Sequence, residues 1–260
     1  MPGIIPFAKF ESTGNDFIMV DNRSGTLNLA TEEISRWCHR RYGTGADGLI
    51  LLEHHPREDF WMRYFNADGR EASFCGNGGR AICGFAAMLG MPGNTHRFEA
   101  FDGIHQGEIL GASEKTWDVS LSMHDVTSGG GKLIDTGSPH LIIEADDPDD
   151  LDVNLEGSKF RYAPEYAPDG CNVNFVRMVN GVISIRTYER GVESETLSCG
   201  TGTTAAAIYH HLHQPDGAYT TPVHARGGDL TVSFVKQGVH FTDIHLIGPT
   251  RCVFLGEYYL

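Results

Sequence analysis

Two stretches decide how this chain reads: Tyr64-Phe65-Asn66-Ala67-Asp68-Gly69-Arg70-Glu71-Ala72-Ser73-Phe74-Cys75-Gly76-Asn77-Gly78 and Tyr188-Glu189-Arg190-Gly191-Val192-Glu193-Ser194-Glu195-Thr196-Leu197-Ser198-Cys199-Gly200-Thr201-Gly202. Laid over each other at an offset of 124 residues in a chain of 260, both place Tyr eleven and Glu four residues before a Cys-Gly-x-Gly step. An Ala-containing apolar run follows each. Several coincidences at one offset mark an internal duplication. The halves therefore read as copies of one domain, each carrying a strand, a loop, a cysteine and a helix in that order.

Outward from these stretches, alternating apolar residues mark strands at Leu49–Leu52, Phe60–Asn66, Thr116–His124, Val182–Glu189, Asp229–Val235, His240–Ile247 and Cys252–Tyr258. A helix is expected from Thr31 as N-cap, with Ile34, Trp37, Cys38 and Arg41 on one face and Gly43 as its stop. Two more are expected, from about Gly79 to Leu89 and from Thr203 to about His213. Strands outnumber helices and no regular βαβ alternation appears. The fold class is thus α+β, sheets wrapped around a few buried helices. Gly43-Thr44-Gly45-Ala46-Asp47-Gly48 fits a dinucleotide fingerprint by letters, but it follows a helix and leads into a strand, the reverse of that site, and reads as a turn.

Composition narrows the function. With 40% hydrophobic and 21% charged residues the chain is ordinary globular protein. Its 20 Lys+Arg against 34 Asp+Glu give a formal charge of −14, and no basic run occurs, which argues against a general nucleic-acid or anionic-membrane partner. No apolar run approaches the roughly 18 residues of a membrane span. The opening Met1–Phe7 lacks the pattern of a signal peptide. The six cysteines, at 38, 75, 83, 171, 199 and 252, show neither CxxC nor zinc spacing, so reduced thiols and a cytoplasmic location are expected. His54–His55 and His210–His213 lack ligand geometry, so no metal is expected. Cys38, Cys83, Cys171 and Cys252 read as small buried hydrophobes.

Cys75 and Cys199 differ because each precedes a helix. At a helix N-terminus, orphan backbone N–H groups and the macrodipole favour an anion. Ionising an ordinary thiol at neutral pH costs about 2 kcal/mol, and the dipole returns about 0.3–2 kcal/mol, enough to decide the protonation state. The flanking glycines let backbone approach a ligand and hold a carboxylate. Two such units, one on each side of a ligand, suit stereoinversion, in which a proton leaves one face of a carbon and another arrives at the opposite face. No cofactor motif is present, so electrostatics would stabilise the developing charge.

These residues resemble the diaminopimelate epimerase family over nearly the whole chain. The resemblance runs through Thr13-Gly14-Asn15-Asp16-Phe17, Gly45-Ala46-Asp47-Gly48, Phe65-Asn66-Ala67-Asp68-Gly69, Cys75-Gly76-Asn77-Gly78-Gly79-Arg80, Gly137-Ser138-Pro139-His140, Asn172-Val173-Asn174-Phe175-Val176, Glu189-Arg190-Gly191 and Cys199-Gly200-Thr201-Gly202. It implies two pseudo-symmetric domains, each a set of strands curled around a central helix, with the active site in the cleft between them. On this chain they span residues 1–115 and 116–249, and the last strand, about 250–260, returns to the N-terminal half.

The resemblance further implies that Cys75 and Cys199 are the acid/base pair, without pyridoxal phosphate or metal, with His140 and Glu189 beside them. Gly76, Asn77, Gly200 and Thr201 would cradle the substrate carboxylate, and Asn66, Asn172 and Arg190 the distal amino-acid end. Asn15 would line the site, and Glu189 would hold an ammonium. The implied reaction interconverts LL- and meso-2,6-diaminopimelate in lysine and peptidoglycan-precursor synthesis. The expected partner is this small amino acid, and a homodimer is left open. Ser138 replaces the family's usual Asn, and Gly48 its usual Gln. Beside this reading stand a racemase of another amino acid on the same fold, a hydrolase using one cysteine as nucleophile, and a non-catalytic carboxylate-binding module.

Overall fold

A parallel strand pair needs a crossover connection, and among the described residues there are four such pairs, each crossed through a helix. The structure is a computed structural model and describes residues 3–259. In chain order the elements are β1 (Ile4–Ser12), β2 (Asn15–Asn22), α1 (Thr31–Cys38), β3 (Gly48–Glu53), β4 (Phe60–Asn66), α2 (Gly76–Met88), β5 (Thr95–Ala100), β6 (Gly103–Ser113) and β7 (Thr116–Ser122). There follow β8 (Val126–Thr127), β9 (Leu133–Asp135), β10 (Pro139–Glu144), α3 (Val153–Arg161), β11 (Asn172–Val179), β12 (Val182–Glu189), β13 (Ser194–Thr196), α4 (Gly200–His211), β14 (Gly217–Ala225), β15 (Gly228–Gln237) and β16 (His240–Tyr259), with short 3-10 turns at Pro148–Asp150 and Pro164–Tyr166. Two compact units result: one formed by the chain up to Leu121 together with the part from Gly248 on, the other by Ser122–Ile247.

In the first unit the neighbour order runs β1-β2-β3-β4-β5-β6-β7-β16, and β16 pairs back onto β1, so eight strands close on themselves. The parallel pairs are β2–β3, crossed by α1, and β4–β5, crossed by α2. α2 is the central helix, buried from Gly76 to Ala86. Its small and apolar residues let it sit inside the core, with Asn77 and Arg80 as its buried polar side chains. The wall comes close to it: a Cβ on Gly84 would stand 2.8 Å from Thr250 Cγ2 and 3.1 Å from Trp117. α1 is amphipathic and packs Ile34, Trp37 and Cys38 against Phe7, Ile18 and Leu49.

In the second unit the path is β8-β16-β15-β14-β12-β11-β10-β9, with β13 on β12. Its parallel pairs are β10–β11, crossed by α3, and β12–β14, crossed by α4. α4 is its central helix; Ala205 to Ile208 sit among Ile142, Ile183, Ile185, Val232, Phe234 and Phe241. The duplication thus extends through the whole half. β10 begins at Pro139, 124 residues after β2 begins at Asn15, and α4 begins at Gly200, 124 residues after α2 begins at Gly76. The α+β class and the wrapping of strands around central helices hold.

Several element boundaries differ from expectation. α2 and α4 begin three residues early, directly after Cys75 and Cys199, because glycine's poor helix propensity hides a first turn made of Gly-x-Gly. α4 also ends at His211, so His213 is beyond it. The first helix is capped by Ala30, not Thr31, whose place is inside it; the Glu33 carboxylate accepts the Ala30 N–H at 2.7 Å. It ends at Cys38, which leaves Arg41 outside and exposed. β7 stops at Ser122. The two strands expected at the C-terminus are one, β16, and its Gly248-Pro249 step is where the strand changes partner from β15 to β7, a position that tolerates a missing N–H. α3 was not anticipated, since it buries only Val153 and Gly157.

Candidate functional site

Each cysteine of the duplicated motif is an N-cap in extended conformation, Cys75 at φ −120°, ψ 118° and Cys199 at φ −124°, ψ 113°. The first intrahelical bonds are Gly79 N–H to Cys75 O and Thr203 N–H to Cys199 O, at 2.8 and 2.9 Å. The amides of Gly76, Asn77, Gly200 and Thr201 precede those bonds, at the end of the helix where an anion is favoured. Neither α2 nor α4 carries an acidic residue in its first turn.

Around Cys75 the first unit builds a hydrogen-bonded set. The turn Thr13-Gly14 between β1 and β2 has positive φ at both residues, 48° and 87°, and delivers Asn15 to the start of β2. Asn15 Oδ1 accepts from Cys75 Sγ at 3.6 Å and from Asn77 Nδ2 at 3.3 Å. Its Nδ2 donates to Asp47 Oδ2 at 2.7 Å, and Asp47 in turn accepts from Arg40 at 2.8 Å. Behind Asn77 lies Arg80, fully buried, whose Nη2 donates to Asn77 Oδ1 at 2.9 Å and to Thr13 Oγ1 at 3.2 Å. Among the described residues its Nε and Nη1 meet no acceptor. Burial pulls the Arg80 pKa down to about 10, against the opposing pull of Cys75 and Glu11. The guanidinium still carries its charge at neutral pH, and a fixed cation behind a thiol favours the thiolate. Asn66, at the end of β4, is exposed and turns the chain, its carbonyl accepting from Gly69 N–H at 2.9 Å.

Around Cys199 the second unit is more continuous. Cys199 Sγ lies 3.4 Å from Thr201 Oγ1, which lies 2.9 Å from His140 Nε2. His140 Nδ1 is 3.1 Å from Asn174 Nδ2, and Thr187 donates to Asn174 Oδ1 at 3.0 Å. His140 is wholly buried, and that burial, helped by the charge of Arg190, brings its pKa down to about 3. It is a neutral imidazole at physiological pH. Asn172 Oδ1 accepts the Arg190 backbone N–H at 2.8 Å, and Asn172 Nδ2 donates to Ser138 Oγ at 2.9 Å and Pro139 O at 3.2 Å. Arg190 Nη2 also reaches Ser138, at 3.3 Å. Ser138, which stands where the resembled family has an amide, thus ties Asn172 to Arg190. Glu189 accepts from Thr196 Oγ1 at 2.8 Å.

The expected residues therefore gather in two sets: Asn15, Cys75, Gly76 and Asn77 in one unit, and His140, Asn172, Glu189, Arg190, Cys199, Gly200 and Thr201 in the other. The other four cysteines are buried, and burial pushes the Cys38 and Cys83 thiols up to about 12. Sequence reasoning did not single out Arg80 or Asn174. Both fall inside quoted motifs, and only their burial and partners distinguish them.

A profile of the family described as diaminopimelate epimerase matches residues 7–124 and 132–251. A diaminopimelate epimerase of Flavobacterium psychrophilum is 43% identical over 253 residues, covering 95% of this chain and 97% of that protein. One of Chlorobaculum tepidum is 42% identical over 258 residues, covering 94% and 97%. Among solved structures, a PhzF-family phenazine biosynthesis protein of Bacillus anthracis matches with a TM-score of 0.76 at 16% identity, over 99% of this chain and all of that one. A hydroxyproline epimerase of Agrobacterium vitis, with trans-4-hydroxy-L-proline bound, gives 0.70 at 13% identity, over 100% and 94%. At such identities the structures speak for the fold alone.

Proposed function

Because the chain belongs to the diaminopimelate epimerase family, we propose that it interconverts LL- and meso-2,6-diaminopimelate by direct proton exchange at one Cα. One cysteine, as thiolate, takes the Cα proton, and the C–H electron pair passes into the adjoining carboxylate to give an enediolate. The other cysteine, as thiol, delivers its proton to the opposite face of the carbon. One proton has left and one has arrived, and thiol and thiolate have exchanged roles, so the reverse reaction starts from the swapped state.

Charge stabilisation comes from the chain itself. The scheme assigns the first-turn amides of α2 and α4 to the carboxylate on which negative charge accumulates, and preorganised donors need no rearrangement as the charge grows. Arg80 and the Thr201 hydroxyl support the thiolate forms of Cys75 and Cys199. Arg190, Asn172 and Asn66 suit the distal carboxylate and ammonium, a guanidinium fork matching a carboxylate in both geometry and charge. Both cysteines must stay reduced, which fits a cytoplasmic enzyme. The observation that carries this reading is the pair of N-cap cysteines whose backbone angles agree within 5°, each opening a buried central helix.

In deuterium oxide, LL-diaminopimelate should acquire one solvent deuteron at the inverted centre. Cys75→Ala and Cys199→Ala should each lower epimerisation by roughly a hundred- to ten-thousandfold, the range of a lost acid/base group. A single-cysteine variant that still epimerises would remove the two-base scheme. Preference for proline over diaminopimelate in a substrate panel would replace the substrate and keep the chemistry.

A further inference from the structure

Three buried side chains of the second unit, Thr187, Asn174 and His140, together with the half-buried Thr201, fix a direction of hydrogen bonding that ends on Cys199. Asn174 Nδ2 stands 3.2 Å from the Leu141 carbonyl, which has no proton, so the atom facing it is the amide nitrogen; Asn174 Oδ1 accordingly takes the Thr187 hydroxyl. The amide's second proton points at His140 Nδ1, 3.1 Å away. Nδ1 is then the acceptor, and in a neutral imidazole the proton belongs to Nε2. Asn172 Nδ2 also comes within 3.5 Å of Nε2, but its two protons are committed to Ser138 and Pro139 at shorter distances. Nε2–H therefore donates to Thr201 Oγ1, and the Thr201 hydroxyl proton is left to point at Cys199 Sγ. Thr136 Oγ1 donates to the Thr201 carbonyl at 3.0 Å and steadies that turn of α4.

We propose that Asn174 is a positioning residue for Cys199: by holding His140 in its Nε2–H form it commits the Thr201 hydroxyl to the Cys199 sulfur. The proposal rests on the reading of Cys199 as an acid/base group. Packing keeps the arrangement in place. A Cβ on Gly202 would lie 2.5 Å from Asn174 Oδ1 and 3.3 Å from His140 Nδ1, so the second glycine of Cys-Gly-Thr-Gly is what lets α4 rest on this pair. The charged group that acts on His140 is Arg190, which opposes protonation of the ring.

Nitrogen-15 spectra of histidine-labelled protein test the first step without any substitution in the relay. The His140 ring, identified as the signal missing from His140→Gln, should show a protonated Nε2 and a bare Nδ1, unchanged from pH 5 to 8. A protonated Nδ1 would overturn the proposal. Asn174→Asp places an acceptor opposite Nδ1, so the proton should move there and Nε2 should compete for the Thr201 hydroxyl. Site-resolved alkylation at pH 7 should then slow roughly tenfold at Cys199, the factor one hydrogen bond to a charged group supplies, while Cys75 reacts as in the parent. Equal reactivity at Cys199 in a variant with the relocated proton would also overturn it. Asn174→Ala serves if the aspartate variant does not fold, with the same slowing expected. None of these readouts needs diaminopimelate, so a parent protein that exchanges no deuterium would sink the epimerase reading and leave the relay standing.

Discussion

Gly78 and Gly202 occupy the same place in the two Cys-Gly-x-Gly units, yet they face different surroundings, and the difference is measurable. A Cβ on Gly78 would meet Ile50 Cδ1 and Met62 Cε, each at 3.0 Å, which are the free ends of flexible side chains. A Cβ on Gly202 would meet a buried amide oxygen at 2.5 Å, itself held by Thr187. Alanine gains roughly 0.8–1.0 kcal/mol over glycine in a helix, whereas overpacking a filled core costs about 1–3 kcal/mol. Gly78→Ala should therefore leave the urea midpoint nearly unchanged. Gly202→Ala should lower it clearly and, by pressing on Asn174, weaken Cys199 more than Cys75. Equal midpoints for the two variants would show that the Asn174–His140 pair yields easily. The same asymmetry runs through the whole site: a buried cation, Arg80, stands behind one thiol and a neutral imidazole, His140, behind the other.

At the scale of elements, the Asp16 carboxylate gathers most of the charged ties between the β1–β2 hairpin and the loop between α1 and β3. Asp16 bonds Arg40 through both oxygens, at 2.7 and 3.0 Å, pairs with Lys9 at 2.8 Å, and accepts the Asp47 N–H at 2.9 Å. Burial alone would raise its pKa, but the bonds from Arg40 and Lys9 outweigh it and bring the value from 3.8 down to about 2. A carboxyl that releases its proton more readily when folded contributes stability that is complete above pH 3.8 and drains as the pH falls through about 2. Asp16→Asn should thus cost about 2 kcal/mol at pH 7, and urea titrations should show the gap to the parent closing between pH 4 and 2. A gap independent of pH would mean that shape, not charge, holds the hairpin. Asp16 sits in a quoted motif, but its ties lie on Lys9, Arg40 and Asp47, so its role emerges only on folding. The two cysteines were legible beforehand because duplication repeats their context. The first turns of α2 and α4, α3 and the unbroken β16 were not: glycine masks a helix start, a helix with two buried residues lacks a stripe, and Gly248-Pro249 mimics a turn. Asn174 escaped for a related reason, since its partners His140, Leu141 and Thr187 come from other strands.

For the molecule as a whole, closure of the first unit waits for β16. Ile4 pairs with Tyr259, 255 residues later, and β7 has β16 as its second neighbour. Contacts of such separation are costly to form and must await β16. Thr250, buried on β16, bonds Ser12 Oγ at 2.9 Å and presses toward Gly84 of α2, so this segment also seats the central helix. A chain ending at Ile247 would leave β1 and β7 as open edges beside a helix meant to be buried, an arrangement prone to aggregation. All three tryptophans, Trp37, Trp61 and Trp117, belong to the first unit, and two of them are buried. Their fluorescence therefore reports on that unit alone. The truncated chain should emit like solvent-exposed tryptophan before any denaturant is added, while the parent shows blue-shifted emission and a sharp urea transition. A truncated chain that keeps the buried emission and the sharp transition would mean that seven strands suffice to enclose α2, and that β16 is an addition to the first unit, not its closing stave.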